Sequence, residues 1–246
     1  MKKILLFGYL CIAVLLASCN FTEEIFVEED GSGKISINFD GSELMEMAGD
    51  EMLKTNEKAI DSVVSFKDFL REKKDSIATL PQTQQEKLKK LEPFNLHMVM
   101  NPETKVMSFD MFSAFQDVSE VSDAFNAFQN ATALGPGNDG GQANPVITDE
   151  QATQVTYSFD KRTFRRRATI IDSTLYLKSL DSLQGAEMFL SGSTYTLKYH
   201  FPRKVKSTNV EEATFSADGK TVIYEVKFLD YVKNPDALNI EVELEN

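Results

Sequence analysis

The densest run of side chains able to bind a charged group is Lys161-Arg162-Thr163-Phe164-Arg165-Arg166-Arg167. It places five cations in seven residues of a chain whose net charge is −12. Guanidinium forks match carboxylate and phosphate oxygens in bidentate geometry. On a strand, Arg165 and Arg167 point to one face while Phe164, Arg166 and Ala168 point to the other. Arg166 therefore shares a face with apolar neighbours, and that face stays dry only if Arg166 has an acidic partner. Two readings stand. Salt bridges to a neighbouring acidic strand are the simpler one. The other is a site for an anionic ligand, a lipid headgroup or phosphate, built from Arg162, Arg165, Arg166 and Arg167 and completed by Arg203 and Lys204 of a second basic cluster, Arg203-Lys204-Val205-Lys206.

A different chemistry is written at the N-terminus. Lys2 and Lys3 precede an apolar stretch over 4–17, which ends in Leu16-Ala17-Ser18-Cys19. This is a lipobox: an export segment too short for a confident membrane span, small residues before the cut, and a cysteine to carry diacylglycerol as a thioether. The reading is a signal peptide over 1–18, with Cys19 acylated by palmitate-type chains as the first residue of the mature protein. Cys11 leaves with the signal, so the mature fold has no thiol for a disulfide, for thiolate zinc or for nucleophilic catalysis. Loss of Lys2 and Lys3 takes the net charge from −12 to −14. So acidic a surface disfavours nucleic acid and repels anionic headgroups, leaving the lipid as the anchor.

The remaining chemistry is sparse. The two histidines, His97 and His200, fall in separate predicted strands, and no His-Glu-x-x-His pair exists. There is no Gly-x-Ser-x-Gly elbow and no Gly-x-x-x-x-Gly-Lys-[Ser/Thr] loop. Asp30-Gly31-Ser32-Gly33 and Asn138-Asp139-Gly140-Gly141 lack the ligand spacing of a calcium loop and read as turns. The expectation is a non-enzyme without metal or cofactor.

The elements that must position these residues alternate between hairpins and helices. Residues 19–24 read as the acylated Cys and a short tether, followed by a single domain over 25–246. Ile25-Phe26-Val27 leads through the 28–33 turn to a half-buried strand in which Ile35, Ile37 and Phe39 alternate with polar residues. A helical period then runs from Ser42 through Met45, Ala48, Met52, Ala59, Val63, Phe66 and Leu70. A second helix spans about 82–91, between Pro81 and Pro93. Strands over 94–100 and 106–112 flank an Asn-Pro turn, and a helix over 118–129 stripes Val118, Val121, Phe125 and Phe128. A Gly-rich loop occupies 134–149. Strands at 154–159 and 164–171, a helix at about 174–190 and a strand at 193–201 follow. A hairpin turns at Ser216-Ala217-Asp218-Gly219-Lys220, a helical turn lies at 229–233, and the last strand covers 238–244. This rhythm predicts an α+β fold, an antiparallel sheet built from hairpins with helices packed on one face. Met45, Met47, Met52, Phe66 and Phe69 could line an apolar groove or simply fill the core.

The C-terminal third resembles the LppM-type domain of bacterial envelope lipoproteins. The residues that carry the likeness are Phe201-Pro202-Arg203-Lys204-Val205, Asp218-Gly219-Lys220-Thr221-Val222 and Tyr224-Glu225-Val226, with the Asp30-Gly31-Ser32-Gly33 hairpin soon after Cys19. As a whole the chain is also similar to uncharacterised lipoproteins of Bacteroidota. The resemblance implies an α+β domain that binds a lipid or glycolipid in the cell envelope, and it brings no catalytic residues. It implies an outer-membrane location, on the periplasmic face or the cell surface. Glu23-Glu24, close behind the cysteine, partly matches the acidic residues that direct such lipoproteins to the surface. The alternative is a structural or assembly lipoprotein that binds an envelope protein through a sheet edge.

Overall fold

Alternating burial drives the first hairpin. The computed structural model describes residues 19–46, 59–132, 151–183 and 187–246. Strands β1 (Asn20–Val27) and β2 (Gly33–Asp40) pair in antiparallel register from Asn20 opposite Asp40 to Val27 opposite Gly33. Ile25, Val27, Ile35 and Ile37 are buried while Phe26 and Lys34 face out. Gly31 holds φ at +92° in the turn, a conformation that costs a residue with a side chain.

Residues 20–24, expected as a tether, form the first five positions of β1. The pattern there is not polar throughout: Phe21 and Glu23 lie on the same parity as Ile25, and that parity faces the interior. A second difference concerns the long helical period. Helix persists at Ser42–Glu46, residues 47–58 lie outside the described region, and Ile60–Ser65 is strand β3. Its Ile-Asp-Ser-Val-Val sequence is rich in β-branched residues, and pairing with a neighbouring strand outweighs the 3.6-residue spacing.

Helices α1 (Phe66–Glu72), α2 (Lys74–Ile77) and α3 (Gln82–Lys90) follow, then β4 (Asn95–Asn101) and β5 (Val106–Phe115). A 3-10 turn at Val118–Val121 leads to α4 (Ala124–Thr132). The chain continues through β6 (Thr153–Phe159), β7 (Thr163–Ile170), α5 (Ser173–Leu183), α6 (Glu187–Leu190) and β8 (Thr194–His200). Next come β9 (Val205–Thr208), the hairpin β10 (Thr214–Phe215) and β11 (Thr221–Lys227), and α7 (Phe228–Lys233). A 3-10 turn at Pro235–Leu238 and β12 (Ile240–Leu244) end the fold. The Gly-rich 134–149 segment lies outside the described residues.

The fold is α+β, with two sheets in place of the one expected. Eight strands run in the order β10-β11-β8-β1-β2-β5-β4-β3, and four in the order β6-β7-β12-β9. All pairs are antiparallel except β1 with β8. One face of the large sheet is wet. It carries the Ser36–Asp110 hydrogen bond, the His97–Asp61 pair at 2.8 Å, and Lys198 and His200 on Glu24, each at 2.8 Å. The other face is covered. An aromatic cluster forms there: Phe21 stacks on Phe228 with centroids 4.7 Å apart and meets Phe125 edge-on at 5.7 Å. The second sheet packs on the same side through Phe164, 4.9 Å from Tyr199 and 5.5 Å from Phe201.

Candidate functional site

Between the sheets lies a buried ion pair. Arg166 projects inward from β7 and Glu23 from β1, and both side chains are fully buried. Arg166 Nε donates to Glu23 Oε1 at 3.2 Å, Nη2 donates to Oε2 at 3.3 Å, and Nη1 donates to the Leu238 carbonyl at 3.2 Å. Tyr195 Oη donates to Oε2 at 2.9 Å, and Tyr199 Oη donates to Oε1. The carboxylate thus holds a guanidinium and two phenols, which offsets the cost of removing it from water. Burial works against the charge on Arg166, but Glu23 and the surrounding phenolic oxygens outweigh it, so its pKa lies well above the ordinary arginine value. Burial, then the Glu23 charge, pushes the Tyr157, Tyr195 and Tyr199 phenols well above their usual range. Tyr157 Oη is close enough to feel these charges yet makes no hydrogen bond among the described residues.

Glu23 is therefore a core residue, although the sequence places it in a tether with an export role. The signal for its partner was present: Arg166 shares its parity with Phe164 and Ala168, and an inward arginine requires a carboxylate. Which of many acidic residues supplies it depends on the packing of β7 across β1, a contact between residues 143 positions apart.

The other basic residues are held by acidic neighbours. Arg162 Nη2 lies 2.8 Å from Glu243, and Arg165 pairs with Glu241 at 2.9 Å and Asp160 at 3.2 Å. Arg167 reaches Glu241 at 3.3 Å, and Lys206 reaches Glu243 at 2.9 Å. Arg203 donates through Nη1 to the Glu245 carbonyl at 2.9 Å, and its Nε lies 3.3 Å from Glu29. Lys204 packs its stem near Gly219. The fold does bring the two clusters together: Arg203 also donates to the Lys161 carbonyl. The acidic strand β12, with Glu241 and Glu243, runs between β7 and β9 and takes up most of their charge.

A cavity of about 870 Å³ opens between α3, α4, α5 and α7. Phe94, Phe125, Leu175, Phe228 and Tyr231 give it an apolar wall. Asn126 and Asp123 stiffen one side: Asp123 Oδ1 accepts the Val155 N–H at 2.7 Å, and Asn126 Nδ2 donates to the Thr153 carbonyl at 3.1 Å. Tyr176 Oη donates to the Val232 carbonyl at 2.8 Å, tying α5 to α7. Lys90 and Lys178 stand exposed at the border, and among the described residues neither pairs with a carboxylate. Of the residues singled out in the sequence, Phe125 lines this cavity. Met45 and Phe66 are buried core, Phe69 packs partly buried against it, and Met47 and Met52 lie outside the described residues. The other wall residues come from elements distant in sequence, and no motif marks them. No group of three or more His, Cys, Asp or Glu able to hold a metal occurs among the described residues.

Cys19 sits beside β1. Its backbone N–H donates to Ser193 Oγ at 3.1 Å, and its side chain is buried. Burial, then Glu43 and Asp40, raises its thiol pKa. Among the described residues no helix is long and apolar enough to cross a membrane.

No family model matches the chain, and no curated protein matches it. Among solved structures it is similar to the folded domain of LppM from Mycobacterium tuberculosis. That likeness has a TM-score of 0.35 and 10% identity, over 92% of this chain and 89% of that one. A similarity so slight carries nothing about ligand or activity.

Proposed function

We propose that this chain is a non-enzymatic envelope lipoprotein, anchored through acylated Cys19, whose domain holds an amphiphilic lipid or glycolipid in the α3–α4–α5–α7 cavity. The observation that carries the proposal is the cavity itself. Its volume falls within the roughly 300–1,000 Å³ of small-molecule sites. Its wall is aromatic and aliphatic, and Lys90 and Lys178, which pair with no carboxylate among the described residues, stand at its border, a pattern suited to an acyl chain below an anionic or polar head. The arginine hairpin is the weaker candidate for that head, because its guanidiniums already hold carboxylates.

The test is native mass spectrometry with lipid extraction on the mature protein purified from an envelope-containing host. A stoichiometric lipid beyond the covalent anchor is expected. Ala127→Phe, which projects bulk into the cavity, should reduce it at least tenfold, and Lys90→Glu with Lys178→Glu should change which headgroups are retained. Protein that carries no lipid and takes up none from vesicles of phosphatidylethanolamine and phosphatidylglycerol refutes the reading.

A second reading rests on β3. It is the outermost strand of the large sheet, unpaired on its far side among the described residues, and Val63 on it is 61% exposed. Such an edge can add a strand from a partner protein. A defined partner lost on Val63→Lys or Val64→Pro would favour it.

A further inference from the structure

We infer that the anchor stands this domain on its cavity end, with Ile170, Ile171 and Leu177 set into the bilayer that holds the acyl chains. The inference rests on Cys19 being acylated, as proposed above.

Strand β1 begins at Asn20, one residue after the attachment point. Adjacent Cα atoms are about 3.8 Å apart, so no tether separates lipid from fold. The Cys19 N–H is further held by Ser193 Oγ, and the Ser193 carbonyl accepts the Phe228 N–H, so the anchor point is bonded to the cavity wall. The bilayer must then lie against whatever surrounds the Cys19 end of β1.

The second sheet shows what that is. Strand β7 runs opposite to β1. Its Phe164 packs on Tyr199 and Phe201, beside the far end of β1, where Phe26 pairs with His200. Its Arg166 meets Glu23 at mid-strand. Cys19 lies four residues before Glu23 and Ile170 four residues after Arg166, so both point to the same end. Ile171 continues from there, its N–H bonded to the carbonyl of Ala152, a cavity residue. Helix α5 follows directly, with Leu175 and Tyr176 in the cavity wall and Leu177 outside it.

Ile170, Ile171 and Leu177 are 44%, 52% and 61% exposed. Single exposed aliphatics are ordinary, but three within eight residues at one end of the molecule form a patch that a bilayer would cover. Phe26, Val63, Val106 and Phe112 are exposed on the outer, wet face of the large sheet, away from this corner. The Asp160–Lys161 turn and its arginines lie at the opposite end, near the Glu28–Gly31 turn, since a Cβ added at Gly31 would lie 4.0 Å from the Phe159 ring. A protein so placed sets Ala152, Leu175 and Tyr176 of the cavity wall next to the segment that meets the leaflet.

The test uses the mature acylated protein on phosphatidylcholine vesicles, with a polarity-sensitive fluorophore at Leu177→Cys or, as the control, at Lys161→Cys. The expected result is quenching of the Leu177 probe by brominated lipid and its protection from iodide, with the reverse at Lys161. Inserting twenty Gly/Ser residues between Cys19 and Asn20 should leave the protein on the vesicles but cut quenching at Leu177 severalfold. A Leu177 probe in water on vesicle-bound protein overturns the inference, as does full contact surviving the insertion. Protein that fails to bind vesicles because Cys19 carries no lipid defeats the anchoring proposal, and this inference with it.

Discussion

Removing Glu23 tests whether the inter-sheet contact is a desolvated ion pair. In Glu23→Leu the Arg166 guanidinium keeps the Leu238 carbonyl and loses its counter-charge, while Tyr195 and Tyr199 lose their acceptor. Breaking one side of a buried pair costs about 3–5 kcal/mol, and an orphaned buried hydroxyl costs about 1–3 kcal/mol. The total takes up much of the roughly 5–15 kcal/mol that stabilises a typical domain. Arg166→Met should be similarly severe, because it strands the carboxylate. The pair Glu23→Leu with Arg166→Met removes both charges, and it should be less destabilised than either single variant, by at least about 2 kcal/mol. Adding Tyr195→Phe and Tyr199→Phe should bring stability back further, since those two hydroxyls are then no longer buried without an acceptor. The assay is urea unfolding of each variant, compared at constant m so that the midpoint shift reports stability. Single losses below about 1 kcal/mol, or two single losses that merely add in the double variant, would show that the groups remain hydrated and that the argument is wrong.

Other outcomes follow from the same geometry. Tyr157, Tyr195 and Tyr199 have phenol pKa values raised by burial, so below about pH 10 they are protonated in both folded and unfolded chains. Above it, of these three phenols, only those of the unfolded chain ionise, and stability should fall by about 1.4 kcal/mol per pH unit for each phenol, read as urea midpoints declining steeply above pH 10 while a part of the tyrosinate absorbance appears only on unfolding. Gly33→Ala would place a Cβ 1.9 Å from the Phe26 carbonyl oxygen and 2.6 Å from the Phe115 ring; a loss of about 2 kcal/mol or more in thermal unfolding is expected, and a neutral result would disprove the close approach.

Much of the architecture was legible locally. The hairpin at Asp30-Gly31-Ser32-Gly33, the strands at β4 through β8, the hairpin at Ser216–Lys220 and the final strand all follow from period-two alternation beside turn residues. The exceptions have physical causes. Ile60–Ser65 satisfied a helical spacing, but β-branched residues beside an available strand edge took the ladder. Strand β9 was hidden in a basic cluster whose side chains read as chemistry rather than as an edge.

By itself the sequence determined the α+β class and the inward parity of Arg166, and it raised the expectation of a lipobox at Cys19. All three depend on neighbours a few residues apart, where side-chain period and cleavage-site chemistry are local. Tertiary structure decided the rest. It made Glu23 the counter-ion of Arg166, turned an apparent tether into the strand beside Cys19, gave the arginines to Glu241 and Glu243, and assembled a cavity from four helices. Those outcomes rest on contacts between segments far apart in the chain, where many acidic and aromatic residues were equally eligible and only packing selects among them.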